Sequence, residues 1–185
     1  EGTYQKQNAA LAVYATEILS QRFPIKNTDG INQVEWKGRW QKLKLNKQTV
    51  ILDSTHNAEA CLQLKENLSK HISKSGKKPI IVTGILGKER AQDIIPLLSQ
   101  NAHSLYLVEP KQPRSCSPES LLSLIPKSQT TPTFSSRLEN LFSKDCCHIG
   151  DENDTILITG SIYLIAEVLT LLEGHEEDHI GQDLI

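Results

Sequence analysis

The 185-residue chain contains no methionine, not even at its first position, so it reads as a piece of a longer protein. It has no apolar run approaching the ~18 residues of a membrane-spanning helix. Its first thirteen residues, Glu1 to Val13, lack a basic stretch followed by an apolar one, so no secretory leader is visible. An excess of one charge sign is missing as well. The formal net charge is −2, which offers no basic surplus for nucleic acid. Cysteine is sparse: Cys61, Cys116, Cys146 and Cys147 include no C-x-x-C pair. The adjacent Cys146 and Cys147 would form only a strained mutual bridge, so free thiols in a reducing cytoplasm are expected. Two phosphate-binding signatures are also absent. No G-x-G-x-x-G occurs, and Gly84-Ile85-Leu86-Gly87-Lys88 is not a Walker A loop, because its glycines are too close and Glu89 follows the lysine.

What is present describes a folded domain. Apolar residues make up 38% and charged residues 23% of the chain, the balance of a protein with a core rather than a disordered segment. Apolar positions at steps of three and four, among them Leu11, Ala15, Ile18 and Leu19, predict a helix over 4–22 that stops before Pro24. Turn-forming residues over 24–33 mark a linker and a domain boundary. Beyond it the pattern alternates. Strands are expected at 36–45 (an exposed or edge strand), 49–52, 79–83, 105–108, 130–134 and 155–159. Helices are expected at 58–72, 89–98, 118–125, 136–142 and 162–172. Short apolar strands separated by helices imply an α/β fold with a mostly parallel sheet and helices on both faces. Ligands bind such sheets outside the carboxyl ends of the strands. Asp53 to Asn57, Gly84 to Lys88, Glu109 to Arg114 and Gly160-Ser161 all fall at that edge.

Each candidate has a structural reading beside its functional one. Asp53 at a strand end can accept two hydrogen bonds from a ribose, and a neutral His56 beside it can donate or accept toward a polar substrate. Asp53 or Ser54 can equally cap the following helix. Lys88 can reach an anion at a helix start or stay solvated. Arg39 lies between Trp36 and Trp40 and next to Gly38. It can be offered to phosphate, or lie across the tryptophans as packing. Ser161 can help hold a carboxylate at a helix start, or serve as an N-cap. His175 to His179 matches H-E-x-x-H, the zinc-protease pattern, but stands in an acidic tail without an amphipathic frame. No metal ligand is assigned. His71, His103 and His148 have no partners in sequence, and Cys146-Cys147-His148 lacks metal-ligand spacing.

Together these segments resemble the folylpolyglutamate synthase and dihydrofolate synthase family of the Mur ligase superfamily, in order and nearly to Leu172. That family carries G-x-H-Q-x-x-N-A-A-L-A, here Gly2 to Ala12; W-x-G-R, here Trp36-Lys37-Gly38-Arg39; D-G-A-H-N-P, here Asp53-Ser54-Thr55-His56-Asn57-Ala58; a glycine loop with a D-K-D-like segment, here Gly84 to Glu89; and T-G-S-L-Y, here Thr159-Gly160-Ser161-Ile162-Tyr163. The resemblance implies a Rossmann-like carboxyl-terminal domain at 34–173. It would be preceded by the last helix of a central ATPase domain (1–24) and a linker (25–33), and followed by an acidic tail (174–185). It implies an ATP- and magnesium-dependent amide ligase that adds glutamate to dihydropteroate or folate through an acyl phosphate. The P-loop and most magnesium ligands would lie in the missing central domain, so this piece alone is expected to be inactive. Carried over by position, Asn8 would contact adenine, Asp53 the ribose and Arg39 the phosphates. His56 and Ser161 would place glutamate and steady the reacting centre, and Lys88 would add charge. Tyr4, Ser54-Thr55 and Ala58 depart from the family's His, Gly-Ala and Pro. The alternatives are a non-catalytic binding or regulatory module of the same fold, a Mur-type ligase with another substrate, and a zinc hydrolase acting through the tail histidines. Neither nucleic acid nor membrane is an expected partner.

Overall fold

The computed structural model describes residues 3–25, 27–33 and 37–174. The chain divides between Lys37 and Gly38 into two compact units. The first holds helix α1 (Thr3–Ser20) and a 3-10 turn at Asp29–Gln33. Leu11, Tyr14, Ile18 and Leu19 fall on one face of α1 at helical spacing, and all are exposed.

The second unit is built on a six-stranded sheet. Its strands are β1 (Gln41–Leu45), β2 (Gln48–Asp53), β3 (Ile80–Thr83), β4 (Ser104–Leu107), β5 (Thr133–Ser135) and β8 (Thr155–Thr159), in the spatial order β1-β2-β8-β3-β4-β5. Only β1 runs antiparallel, closing a hairpin onto β2. A separate two-stranded hairpin joins β6 (Phe142–Ser143) to β7 (Cys146–Cys147). The helices are α2 (Ala58–Ser75), α3 (Lys88–Asn101), α4 (Pro118–Leu122), α5 (Leu138–Leu141) and α6 (Ile162–Glu173). Among the described residues no helix is long and apolar enough to cross a membrane.

Side chains alternate across the strands and split the core in two. Ile51, Ile81, Leu105 and Leu157 face one side, where Leu64 and Leu68 of α2 and Ile94 and Leu98 of α3 cover them. Val50, Leu52, Val82 and Ile158 face the other, where Leu164, Ile165 and Val168 of α6 and Phe142 of the hairpin cover them. Burial on both faces is why these strands read as unbroken apolar runs. Each fully buried Leu or Ile here contributes about 2 kcal/mol.

Three expectations shift. The strand expected from Trp36 begins only at Gln41, because Gly38 and Trp40 adopt φ of 74° and 51°, which an extended strand does not allow. Trp36 itself lies outside the described residues, as do the tail histidines 175 and 179. The helix expected over 136–142 is a single turn, and its last residue starts the β6–β7 hairpin, whose two-residue strands are too short to leave a periodic signal. The strand expected over 130–134 instead spans 133–135.

Candidate functional site

Strand β8 sits between β2 and β3. The chain leaves β2 and β3 into α2 and α3 on one face, and leaves β8 into α6 on the other. Neighbouring strands whose exits diverge leave a crevice at their carboxyl ends, the topological switch point of a doubly wound sheet. Asp53 pairs in register with Thr159 across it, and Thr83 pairs with Thr159 from the other side.

Asp53 ends β2 and is 7% exposed. It does not cap α2, and neither does Ser54. Asn57 is the cap, its Oδ1 accepting from the Ala60 N–H at 2.8 Å. Asp53 Oδ1 instead accepts from the backbone N–H of Thr55 at 3.1 Å and from its hydroxyl at 2.5 Å, while Oδ2 accepts from the Trp40 N–H at 3.2 Å. A carboxylate offers about four lone-pair positions. Three are therefore taken, which leaves one for a ligand rather than the two expected for a ribose. Burial pushes the Asp53 carboxyl above its ordinary value, against the pull of Thr55, Trp40 and the Arg39 charge.

The turn carrying Arg39 is fastened over this strand end. The Ser54 N–H donates to the Gly38 carbonyl at 2.7 Å, and the Gly38 N–H donates to Gln41 Oε1 at 2.9 Å. A Cβ at Gly38 would stand 3.3 Å from Ile165 of α6, so the turn also lies against the helix that leaves β8. Arg39 is half-buried. His56 donates from Nδ1 to the Ser54 carbonyl at 2.7 Å, because a carbonyl can only accept. In the neutral ring this leaves Nε2 bare as an acceptor.

Ser161 is 4% exposed and is the N-cap of α6, its Oγ accepting from the Tyr163 N–H at 3.1 Å. Its own hydroxyl proton is left to donate. Lys88 opens α3 and is exposed, on a loop tied to its neighbour by the Gly87 N–H donating to the Arg114 carbonyl at 3.0 Å. The fold thus brings Arg39, Asp53, His56, Ser161 and Lys88 to one rim. Asn8 belongs to α1 of the first unit and is exposed.

Two further hydroxyls lie at this rim, neither of them among the candidates assigned a role from sequence. Thr83 and Thr159, at the ends of β3 and β8, carry fully buried hydroxyls with no hydrogen-bond partner among the described residues. Each terminates an apolar run immediately before a glycine, and that change from aliphatic to hydroxyl was the available signal. Among the described residues, no three His, Cys, Asp or Glu side chains stand close enough together to hold a metal ion.

A crevice of this build defines the class: a doubly wound α/β domain, a fold whose ligands bind at the carboxyl edge of the sheet. More particularly, the chain belongs to the Mur ligase family, residues 38–162 matching the family model described as Mur ligase, glutamate ligase domain. It is similar to the dihydrofolate synthase/folylpolyglutamate synthase of Bacillus subtilis (strain 168), 27% identical over 174 residues that cover 90% of this chain and 39% of that protein. Among solved structures it is similar to Mycobacterium tuberculosis folylpolyglutamate synthase complexed with ADP. The TM-score is 0.69 at 19% identity, covering 95% of this chain and 41% of that one. It is also similar to the bifunctional folylpolyglutamate synthase/dihydrofolate synthase of Yersinia pestis complexed with AMPPNP and a Mn ion. There the TM-score is 0.61 at 20% identity, covering 82% of this chain and 35% of that one. At these identities the solved structures establish the shared fold. The chain spans about two fifths of the length of that Bacillus subtilis relative.

Proposed function

We propose that this chain is the carboxyl-terminal part of an ATP-dependent ligase that joins glutamate to the carboxylate of dihydropteroate or a folate through an acyl phosphate. One observation carries the reading. The Gly38–Trp40 turn is hydrogen-bonded onto the end of β2, and the Arg39 charge that it carries acts on the buried Asp53 carboxyl at the switch point. Family membership and the names of the relatives support the same chemistry.

The residues fit a nucleotide and an amino acid. Arg39 supplies positive charge to phosphate oxygens, where phosphoryl transfer depends on position and charge. Asp53 gives its one remaining lone pair to a ribose hydroxyl. The Ser161 hydroxyl proton is free to donate to a glutamate carboxylate at the start of α6. The bare Nε2 of His56 accepts from the glutamate amine as that amine loses its proton on attack. Lys88 adds charge at the mouth, and Asn8 serves the adenine. ATP supplies the phosphoryl group that activates the carboxylate. Magnesium would accompany it, with ligands in the phosphates and mostly in the preceding domain, as the family resemblance implies. The exposed apolar face of α1 supports a preceding domain that packs over it, with residues 1–24 as that domain's last helix, 25–33 as linker and 34–173 as the ligase domain. Four free thiols support a reducing, cytoplasmic setting.

The test is ADP release by the full-length protein with ATP, glutamate and either dihydropteroate or tetrahydrofolate. Arg39→Ala should lower the rate about 100-fold or more while the circular dichroism spectrum stays that of the wild type. A near-normal rate in that variant, or no glutamate-dependent turnover of either acceptor by the wild type, overturns the reading.

A further inference from the structure

Away from the crevice, the β6–β7 hairpin gathers three side chains with a chemistry of their own. Its turn is Lys144-Asp145, with Asp145 at φ 54°. Phe142, 1% exposed, anchors one strand in the core. The Asp145 N–H donates to the Leu172 carbonyl at 3.0 Å, and the His148 N–H to the Leu141 carbonyl at 2.9 Å. The backbone under Ser143, Cys146 and His148 is thus tied down at both ends. On this base His148 Nε2 lies 2.8 Å from Ser143 Oγ, and His148 Nδ1 lies 3.7 Å from Cys146 Sγ.

The order of contacts determines what each atom can do. When Nε2–H donates to the serine oxygen, Nδ1 is bare and faces the thiol. A proton leaving Sγ then has an acceptor beside it, and the imidazolium so formed keeps Ser143 Oγ as the partner of its other N–H. A thiol, a base and a third group that orients the base is the general arrangement of an activated sulfur nucleophile. The other cysteines lack it. Cys61 and Cys116 are buried in the core, and burial pushes both thiols up. Cys147 is pushed up in the same way, and its Sγ donates to the Ile149 carbonyl at 3.7 Å. Cys146 is half-buried, His148 is exposed, and the hairpin is open to small molecules.

We propose that Cys146 is a modification site, a thiol that exchanges with small disulfides and takes up their thiol group with His148 as its base. The Cys146 sulfur attacks one sulfur of R–S–S–R as its proton passes to His148 Nδ1. A new S–S bond forms to give Cys146–S–S–R, the S–S bond of the reagent breaks, and the departing RS⁻ takes the proton from His148 to leave as RSH. The disulfide is the oxidant, and no other co-reactant is needed. The neighbouring Cys147 thiol is bonded inward to Ile149, and an adjacent-residue bridge is strained, so the mixed disulfide persists.

The experiment treats the reduced, purified chain with excess glutathione disulfide at neutral pH and follows each cysteine by peptide mass mapping. Cys146 is expected to gain one glutathionyl group at least about tenfold faster than Cys61, Cys116 or Cys147. His148→Asn should slow Cys146 about tenfold, and Ser143→Ala should slow it by a smaller factor. The buried Cys61 and Cys116 report on folding in the same samples. A variant that loosened the fold would speed these two and Cys146 alike, so the reading is the Cys146 rate itself, repeated with His148→Gln. A slower Cys146 in both His148 variants supports the assignment, since loosening cannot produce it. A Cys146 rate unchanged or raised in either variant, or fastest modification at another cysteine, overturns it.

Discussion

At the scale of single residues, Asp53 shows how burial and hydrogen bonding compete. Burial raises its pKa, and the donors from Thr55 and Trp40 recover only part of the cost. A carboxyl raised above its unfolded value holds more protons in the folded state than in the unfolded one. Its contribution to stability is therefore full below the unfolded value near 3.8 and is lost as pH rises through the raised folded value. The stability of the wild type relative to Asp53→Asn should accordingly decline as pH climbs from below 3.8 toward neutrality, read from urea unfolding of both chains at each pH. A difference that grew with pH would contradict the assignment of burial as the main cause. The same residue accounts for one departure from the family's Gly-Ala. Thr55 brings a hydroxyl that occupies an Asp53 lone pair, a donor that alanine lacks.

At the scale of elements, the ends of strands and the starts of helices carry both order and chemistry. Gly160, between β8 and α6, has φ 114°, and a Cβ there would stand 2.7 Å from Thr83 Oγ1 and 2.8 Å from the Gly84 carbonyl oxygen. Gly160→Ala should cost roughly 3 kcal/mol in chemical denaturation, because backbone strain and overpacking add. Asn57→Ala removes the cap of α2 and should cost about 1 kcal/mol, with α2 amides exchanging faster and those of α6 unchanged. The element that sequence reading did not find is the β6–β7 hairpin. Its order comes from Phe142 in the core and from the Leu172 carbonyl, contacts made far along the chain.

At the scale of the molecule, the two-sided core belongs wholly to the second unit. Residues 38–185, produced without the first 37, should therefore unfold cooperatively with a midpoint within a few degrees of that of the full chain. A broad, non-cooperative melt would show that the first unit is part of the folding unit. The exposed face of α1 makes the opposite forecast for the other piece. Residues 1–37 alone should show little helicity, since short helices without a packed face are marginal in water.

Much of this was legible in the sequence because it depends on local rules. Apolar runs of four to six residues, helical periodicity and turn chemistry set the strands and helices, and the D-x-x-H-N and T-G-S segments stand at strand ends whatever the topology. The sequence determined which residues lie at the carboxyl edge. Which of them face one another was decided only by the insertion of β8 between β2 and β3, which pairs it with segments 106 and 76 residues earlier in the chain. Tertiary structure also decided what each polar atom still has to give. Whether Asp53 keeps one lone pair or two, and whether Cys146 meets an imidazole, depends on hydrogen bonds that the spacing of residues along the chain cannot reveal.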